Sequence, residues 1–409
     1  MNRLRLAAVG LAAAVCFVQG SSASPGQDRL DTLLGRFFEA DSDDERNSIL
    51  QDLKPFEKSD VKPAKLLELA RRGPKSGGGR ENKLDHKDHP GTYYLAGTKE
   101  GKKIPLFIGL HGGGGSASDS GAQAMSFGFP KGCLAVFPTA LTRPAVTEWN
   151  REREAEYVLA LIEELKRTYD IDTNRIYLFG LSMGGWGTFC IGSHHADVFA
   201  GLAPCAAGVC EPSVDREKCT IFANLRNTPI RWYHGERDNN PPPDHPSFGV
   251  RQAAKRLEAL QKEQGGYAFE YKEYPGLGHA APPDGFGPIF DWLVKQQRNP
   301  CPSKVVWEPH RRYGRHFFWL KVASPTPGTR IEAEIDRKKN SVTVKTKAIE
   351  GGWTIFLNEK LVDLNKPVVV TVNGERKFSG KLSRSLTAAV ETIAAKRDPE
   401  MIFTARIDF

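Results

Sequence analysis

The apolar run Ile176-Tyr177-Leu178-Phe179 passes without a spacer into Gly180-Leu181-Ser182-Met183-Gly184, and that passage limits the folds open to the chain. A short run with no polar alternation is a strand buried on both faces, as in a parallel sheet covered by helices. The glycines two positions either side of Ser182 leave room for a sharp, strained turn, and a helix is expected to begin near Gly184. The same rhythm extends over 81–302. Strands are expected at 104–110, 134–137, 176–179, 200–203, 230–233 and 269–274, with helices at 154–166, 248–263 and 287–297. Alternation of this kind predicts an α/β domain built on a mostly parallel sheet flanked by helices.

The chain has 409 residues, more than the roughly 250–300 that one core usually serves, so further modules are expected. Residues 1–23 place Arg3 and Arg5 before an apolar run at 6–18 and small residues at 20–23, the pattern of a signal peptide. That run is shorter than the roughly 20 residues of a bilayer span, so a secreted or periplasmic protein without stable membrane insertion is expected. Residues 24–80 read as a helical leader and linker. Leu30, Leu33, Leu34 and Phe37 recur at helical spacing, and Gly73-Pro74-Lys75-Ser76-Gly77-Gly78-Gly79-Arg80 is linker-like. Residues 303–409 form a small β-rich accessory domain, with strand patterns at 330–344, 353–356, 368–372 and 377–382. Asn373-Gly374 marks a hairpin, and a helix is expected at 383–395.

In an exporting compartment Cys205, Cys210 and Cys219 form a cluster suited to a disulfide, while Cys190 lies in an apolar helical stretch and reads as buried. No Cys-x-x-Cys pair or interleaved histidine spacing suggests a metal, and none is expected. The net charge of +8 comes from scattered basic residues, so nucleic acid is not an expected partner.

A serine hydroxyl attacks a carbonyl at neutral pH only when an imidazole takes its proton and a carboxylate orients that imidazole. Ser182 in its strand-turn-helix setting is the candidate nucleophile; the alternative is a serine that caps the helix. His111-Gly112-Gly113-Gly114-Gly115 follows strand 104–110. The amides of Gly112 and Gly113, with that of Met183, are candidate donors to an oxyanion. A phosphate loop is the other reading of the glycines, but no Lys-Ser or Lys-Thr follows them. His234-Gly235-Glu236-Arg237-Asp238 ends the strand at 230–233 and offers Asp238 as the orienting acid, with Glu236 and Asp244 as rivals. Gly276-Leu277-Gly278-His279 follows the last strand and offers His279 as the base among ten histidines. Trp186 and Trp149 are candidate substrate contacts, with core packing as the alternative for each.

The segment Asn174-Arg175-Ile176-Tyr177-Leu178-Phe179-Gly180-Leu181-Ser182-Met183-Gly184-Gly185, with Leu110-His111-Gly112-Gly113-Gly114, resembles feruloyl and acetylxylan esterases and polyhydroxybutyrate depolymerases. The resemblance covers about 103–297 and implies an α/β-hydrolase fold in which Ser182, Asp238 and His279 keep the nucleophile, acid, histidine order. It implies cofactor-free hydrolysis of an ester, such as an acetyl or feruloyl group on a polysaccharide, through an acyl-enzyme. A polyester depolymerase and a prolyl-oligopeptidase-like peptidase, which shares a similar elbow, are the alternatives. A binding protein with an inactive hydrolase domain is a third. The proline run Pro241-Pro242-Pro243 after the acid departs from the pattern, as does the β-rich end of the chain.

Overall fold

The computed structural model describes residues 25–40, 42–59, 61–70, 82–84, 90–116, 128–141, 148–210, 220–310, 314–326 and 328–409. The expected signal segment, the linker glycines and Cys219 lie outside them. Residues up to Leu53 form one compact unit and Lys54–Phe409 another. In the first, α1 (Pro25–Glu39) and α2 (Asp43–Leu53) follow one another, and Leu30, Leu33, Leu34 and Phe37 make the buried face of α1 at the spacing its sequence shows.

The second unit opens with α3 (Pro63–Ala70) and is built on a sheet of β1 (Asn82–Leu84), β2 (Gly91–Gly97), β3 (Ile104–Leu110), β4 (Leu134–Pro138), β5 (Ile171–Leu181), β6 (Gly201–Cys205), β7 (Ile230–Gly235) and β8 (Phe269–Tyr274). The strands lie in the order β1-β2-β4-β3-β5-β6-β7-β8. From β4 to β8 neighbouring strands run parallel, whereas β2 joins β4 antiparallel. The crossovers include α4 (Glu152–Thr168), α5 (Met183–His194) and α6 (Val250–Gln264), with α7 (Gly287–Leu293) after β8. Strand order and direction are those of an α/β-hydrolase.

Both faces of the sheet are covered, which is why its central strands carry no polar alternation. Leu106, Ile108, Ile176 and Leu178 pack in one core with Val158, Leu161 and Phe189, from α4 and α5. The alternate residues Phe107, Tyr177 and Phe179 point the other way and pack with Phe290 of α7. The rings of Phe107, Phe179 and Phe290 meet edge to face within 6.3 Å of one another.

The end of the chain adds β9 (Lys304–Trp307), β10 (His316–Phe317), β11 (Leu320–Ser324), β12 (Arg330–Asp336), β13 (Ser341–Lys347), β14 (Glu350–Leu357), β15 (Val368–Val372), β16 (Glu375–Gly380), α8 (Leu386–Lys396) and β17 (Ala405–Asp408). They form a four-stranded sheet, β10-β11-β14-β17, and a five-stranded sheet, β16-β15-β13-β12-β9. The single strand expected at 330–344 is a hairpin, because Asn340 takes a left-handed conformation and turns β12 into β13. Asn373 and Gly374 both have positive φ and join β15 to β16 as their dipeptide suggests. The expected helix 287–297 stops at Leu293.

Buried polar groups lock this β-rich part to the hydrolase sheet. Asp398, 1% exposed, pairs with Arg298 and accepts from Thr173 at the start of β5, while Arg298 also donates to the Asn174 side chain and the Asp197 carbonyl. Lys396 pairs with Asp197, and Lys166 of α4 donates to the Lys396 carbonyl. Burial opposes ionisation of Asp398, but the Arg298 guanidinium and Lys166 hold its carboxyl below the usual range. Asp398→Ala leaves Arg298 charged and buried without its partner. The expected loss is about 3–5 kcal/mol of stability, read as a lower urea midpoint, and an unchanged midpoint would contradict it.

Candidate active site

Loops at the C-terminal ends of β3, β5, β7 and β8 converge at one edge of the sheet, where groups from different crossovers of a parallel sheet can meet. The turn after β5 carries the candidate nucleophile. Ser182 stands at φ 57°, ψ −119°, its N–H donates to the Cys205 carbonyl at 2.9 Å, and its own carbonyl accepts the first helical bond of α5 from Trp186. A non-glycine residue held at positive φ stores strain that only dense surroundings maintain. Those surroundings require glycine nearby. A side chain on Gly184 would overlap the carbonyls of Leu110 and His111, and one on Gly180 would overlap Gly184. Ser182 is thus the residue before the helix but makes no side-chain capping bond, which removes the capping alternative.

The Ser182 hydroxyl lies 2.8 Å from Nε2 of His279. On the far side of that ring, Nδ1 lies 3.0 and 2.9 Å from the two carboxylate oxygens of Asp238. Asp238 has no exposed surface, and one of its oxygens also accepts the Asn240 amide at 2.8 Å. The rivals are elsewhere: Glu236 accepts the Gly276 amide at 2.7 Å, and Asp244 faces Arg251 at 4.0 Å. Burial, the largest influence on Asp238, favours its neutral form. The hydrogen bonds from His279 and Asn240 outweigh it and hold the carboxyl below its usual range. The hydrogen bond to Asp238 raises the basicity of His279 above that of an ordinary histidine, against the smaller effect of burial. A serine hydroxyl in contact with such an imidazole can be deprotonated as it attacks a carbonyl.

The glycine loop after β3 is held from below. His111 accepts the Ala140 amide on Nε2 at 3.0 Å, so Nδ1 carries the proton and donates to the Gly112 carbonyl at 2.8 Å. That carbonyl also accepts from the Gly115 amide. In a trans peptide C=O and N–H point in opposite directions, so the Gly113 amide is directed away from these contacts. A side chain on Gly112 would reach within 3.8 Å of the Ser182 Cβ, so the loop runs directly beside the serine. Met183, the third expected donor, is the first residue of α5.

Trp149 does not lie where a substrate could touch it. It is fully buried, and its indole N–H donates to the His111 carbonyl at 3.0 Å, so it supports the glycine loop from inside. Trp186 is half-buried one turn into α5, edge-on to Phe248 at 5.6 Å. Phe248 in turn stacks on His245, forming an aromatic wall beyond the proline run. His111 and Glu154, which accepts the Leu141 amide, hold their loops through contacts distant in sequence. Nothing local in the sequence marks those roles.

Cys190 is buried, as its apolar surroundings suggest, and Cys205 is buried as a free thiol. Among the described residues no group of three or more His, Cys, Asp or Glu is placed to hold a metal ion, and no helix is long and apolar enough to cross a membrane.

Comparison with known proteins finds similarity to named esterases. The chain is 32% identical over 146 residues to feruloyl esterase B of Piromyces equi and 29% identical over 137 residues to a bifunctional acetylxylan esterase/xylanase of Neocallimastix patriciarum. It is 32% identical over 81 residues to poly(3-hydroxyalkanoate) depolymerase C of Paucimonas lemoignei. The chain resembles this esterase group. The matches cover 34%, 33% and 19% of the chain, and the chain spans 27%, 19% and 20% of the length of these relatives. A solved thermostable esterase superposes with a TM-score of 0.39 at 25% identity, over 53% of this chain and 62% of that one. No protein-family model matches.

Proposed function

We propose that the chain is an exported serine carboxylesterase that cleaves acetyl or feruloyl esters on a polysaccharide through an acyl-enzyme. The observation that carries this reading is the unbroken line of contacts from Ser182 through His279 to buried Asp238, at 2.8 and 2.9 Å. His279 takes the hydroxyl proton as Ser182 Oγ bonds to the ester carbonyl carbon. The resulting imidazolium keeps its Nδ1–H on Asp238, and the amides of Gly112, Gly113 and Met183 hold the oxyanion. As the C–O bond breaks, the leaving alcohol receives the proton from Nε2. Water then attacks the acyl group by the same route and frees Ser182. The scheme calls for no cofactor.

Three features support the choice of substrate. The relatives include proteins named for feruloyl and acetylxylan esters. The basic and apolar start of the chain reads as an export signal, which would bring the enzyme to extracellular polymers. Trp186, beside the elbow, offers a flat surface to a sugar or an aromatic acyl group. In the same reading, 303–409 is an accessory domain whose part is to cover and brace the hydrolase sheet.

Turnover of acetyl, feruloyl and butyryl esters against a proline-peptide amide tests the proposal. Acetyl or feruloyl esters are expected to give the highest kcat/KM. Faster cleavage of the peptide amide would replace the esterase with a peptidase, and a preference for butyryl esters would favour a polyester depolymerase.

A further inference from the structure

We propose that His234 is a positioning residue, whose ring N–H fixes the loop that carries Asp238 and so aims the acid at His279; this rests on the reading of Ser182, His279 and Asp238 as a hydrolase triad. His234 stands near the end of β7 and has no exposed surface. Its Nε2 lies 2.9 Å from the Pro241 carbonyl. A carbonyl only accepts, so the proton of the neutral ring sits on Nε2. Nδ1 is then a lone-pair nitrogen, buried with no hydrogen-bond partner among the described residues. Leaving a buried acceptor unpaired is unfavourable, so the ring is held in this tautomer by what Nε2 does.

The proline run explains the need for it. Pro241, Pro242 and Pro243 have no N–H, so the segment after the acid has few donors of its own. The Asn240 amide is used on Asp238, and the Asp238 amide on the Gly235 carbonyl. The Pro241 carbonyl turns back over β7 and is met there by the His234 N–H. Asp238 is therefore strapped twice, by Asn240 on its carboxylate and by His234 three residues further on. The same Nε2 is 3.6 Å from an Asp238 oxygen, outside hydrogen-bonding distance but close enough for a charge to be felt. Burial keeps the ring neutral against the pull of the Pro241 carbonyl and Asp238, and the charged or titratable groups facing it are Asp238, His279 and Glu273. A neutral ring leaves the full attraction of the carboxylate for the imidazolium that forms on His279.

The test compares the full-length protein with its His234→Leu and His234→Gln variants, each normalised to the fraction labelled by a fluorophosphonate probe. His234→Leu fills the space without a donor, whereas the glutamine amide can restore an N–H near the Nε2 position. We expect His234→Leu to lower kcat roughly 10- to 100-fold with little change in KM. The acid limb of its kcat/KM profile should move to lower pH, and His234→Gln should recover most of both. Should His234→Leu fail to fold, nitrogen NMR of wild type labelled at histidine decides. A neutral Nε2–H ring at position 234 while His279 titrates supports the proposal; an Nδ1–H ring, or protonation together with His279, overturns it. Wild-type kcat and acid limb in His234→Leu, or equal damage in both variants, also overturns it. If wild type takes no label the hydrolase reading falls with it, whereas labelled wild type with an indifferent His234→Leu removes this proposal alone.

Discussion

Ser182→Ala lowers kcat/KM for 4-nitrophenyl acetate by a factor on the order of 10⁵ to 10⁶, with the fold intact. The size follows from the geometry. The alanine removes the hydroxyl in contact with His279 Nε2, at 2.8 Å, and the other nitrogen of that ring is taken by Asp238. What remains is the contribution of the glycine loop and of substrate binding, with water as a poor nucleophile. The fold should survive because the strain at φ 57° is kept by the alanine backbone, and the serine side chain caps nothing in α5. Steady-state turnover and far-ultraviolet circular dichroism on the same preparation check both halves. A folded variant with undiminished turnover would remove Ser182 from the reaction.

Asp238→Asn produces the second large effect, a fall in kcat on the order of 10³ to 10⁴. Asn240 donates its amide to one side-chain oxygen of residue 238, and an asparagine that keeps this bond turns its NH₂ toward His279. Nδ1 of His279 must then accept, which moves the ring proton to Nε2, where it can no longer receive one from Ser182. The variant also changes the pH profile in a definite direction. The hydrogen bond to Asp238 is the largest cause of the raised His279 basicity, and burial acts the other way. A general base works when neutral, so activity is lost as pH falls through its pKa. Wild type should show its acid limb of kcat/KM above the range of an ordinary histidine, and Asp238→Asn should show it at lower pH. A limb that stays in place would mean that Asp238 does not set the charge state of His279.

The parts of this site that could be read from sequence are those with local signatures. Ser182 follows a continuously apolar strand between glycines, His111 opens a glycine run, and Asp238 and His279 stand just past strand ends. Sheet topology turns these separate positions into neighbours. The contact of Ser182 with His279 spans 97 residues and that of His279 with Asp238 spans 41, so no window of sequence contains either. Trp149 shows the limit from the other direction. As an aromatic residue it suited a substrate wall as well as a core, and the His111 carbonyl 38 residues away decides for the core. The fold divides in the same manner. Strands buried on both faces, such as β3, were legible by their unbroken apolar runs, whereas β2 lies next to the sheet edge with an irregular burial pattern and gives no clear period. β17 pairs with β14 from some fifty residues away, and its short run Ala405-Arg406-Ile407-Asp408 becomes a strand only through that pairing.

Mass-spectrometric mapping of the adduct left by a fluorophosphonate ester is the decisive measurement, because the reagent bonds rapidly only to a serine whose hydroxyl is activated as a nucleophile. A single adduct on Ser182 is expected, formed much more slowly in His279→Ala and in step with loss of esterase activity. An adduct on another residue, or full turnover after Ser182 is completely labelled, would contradict it.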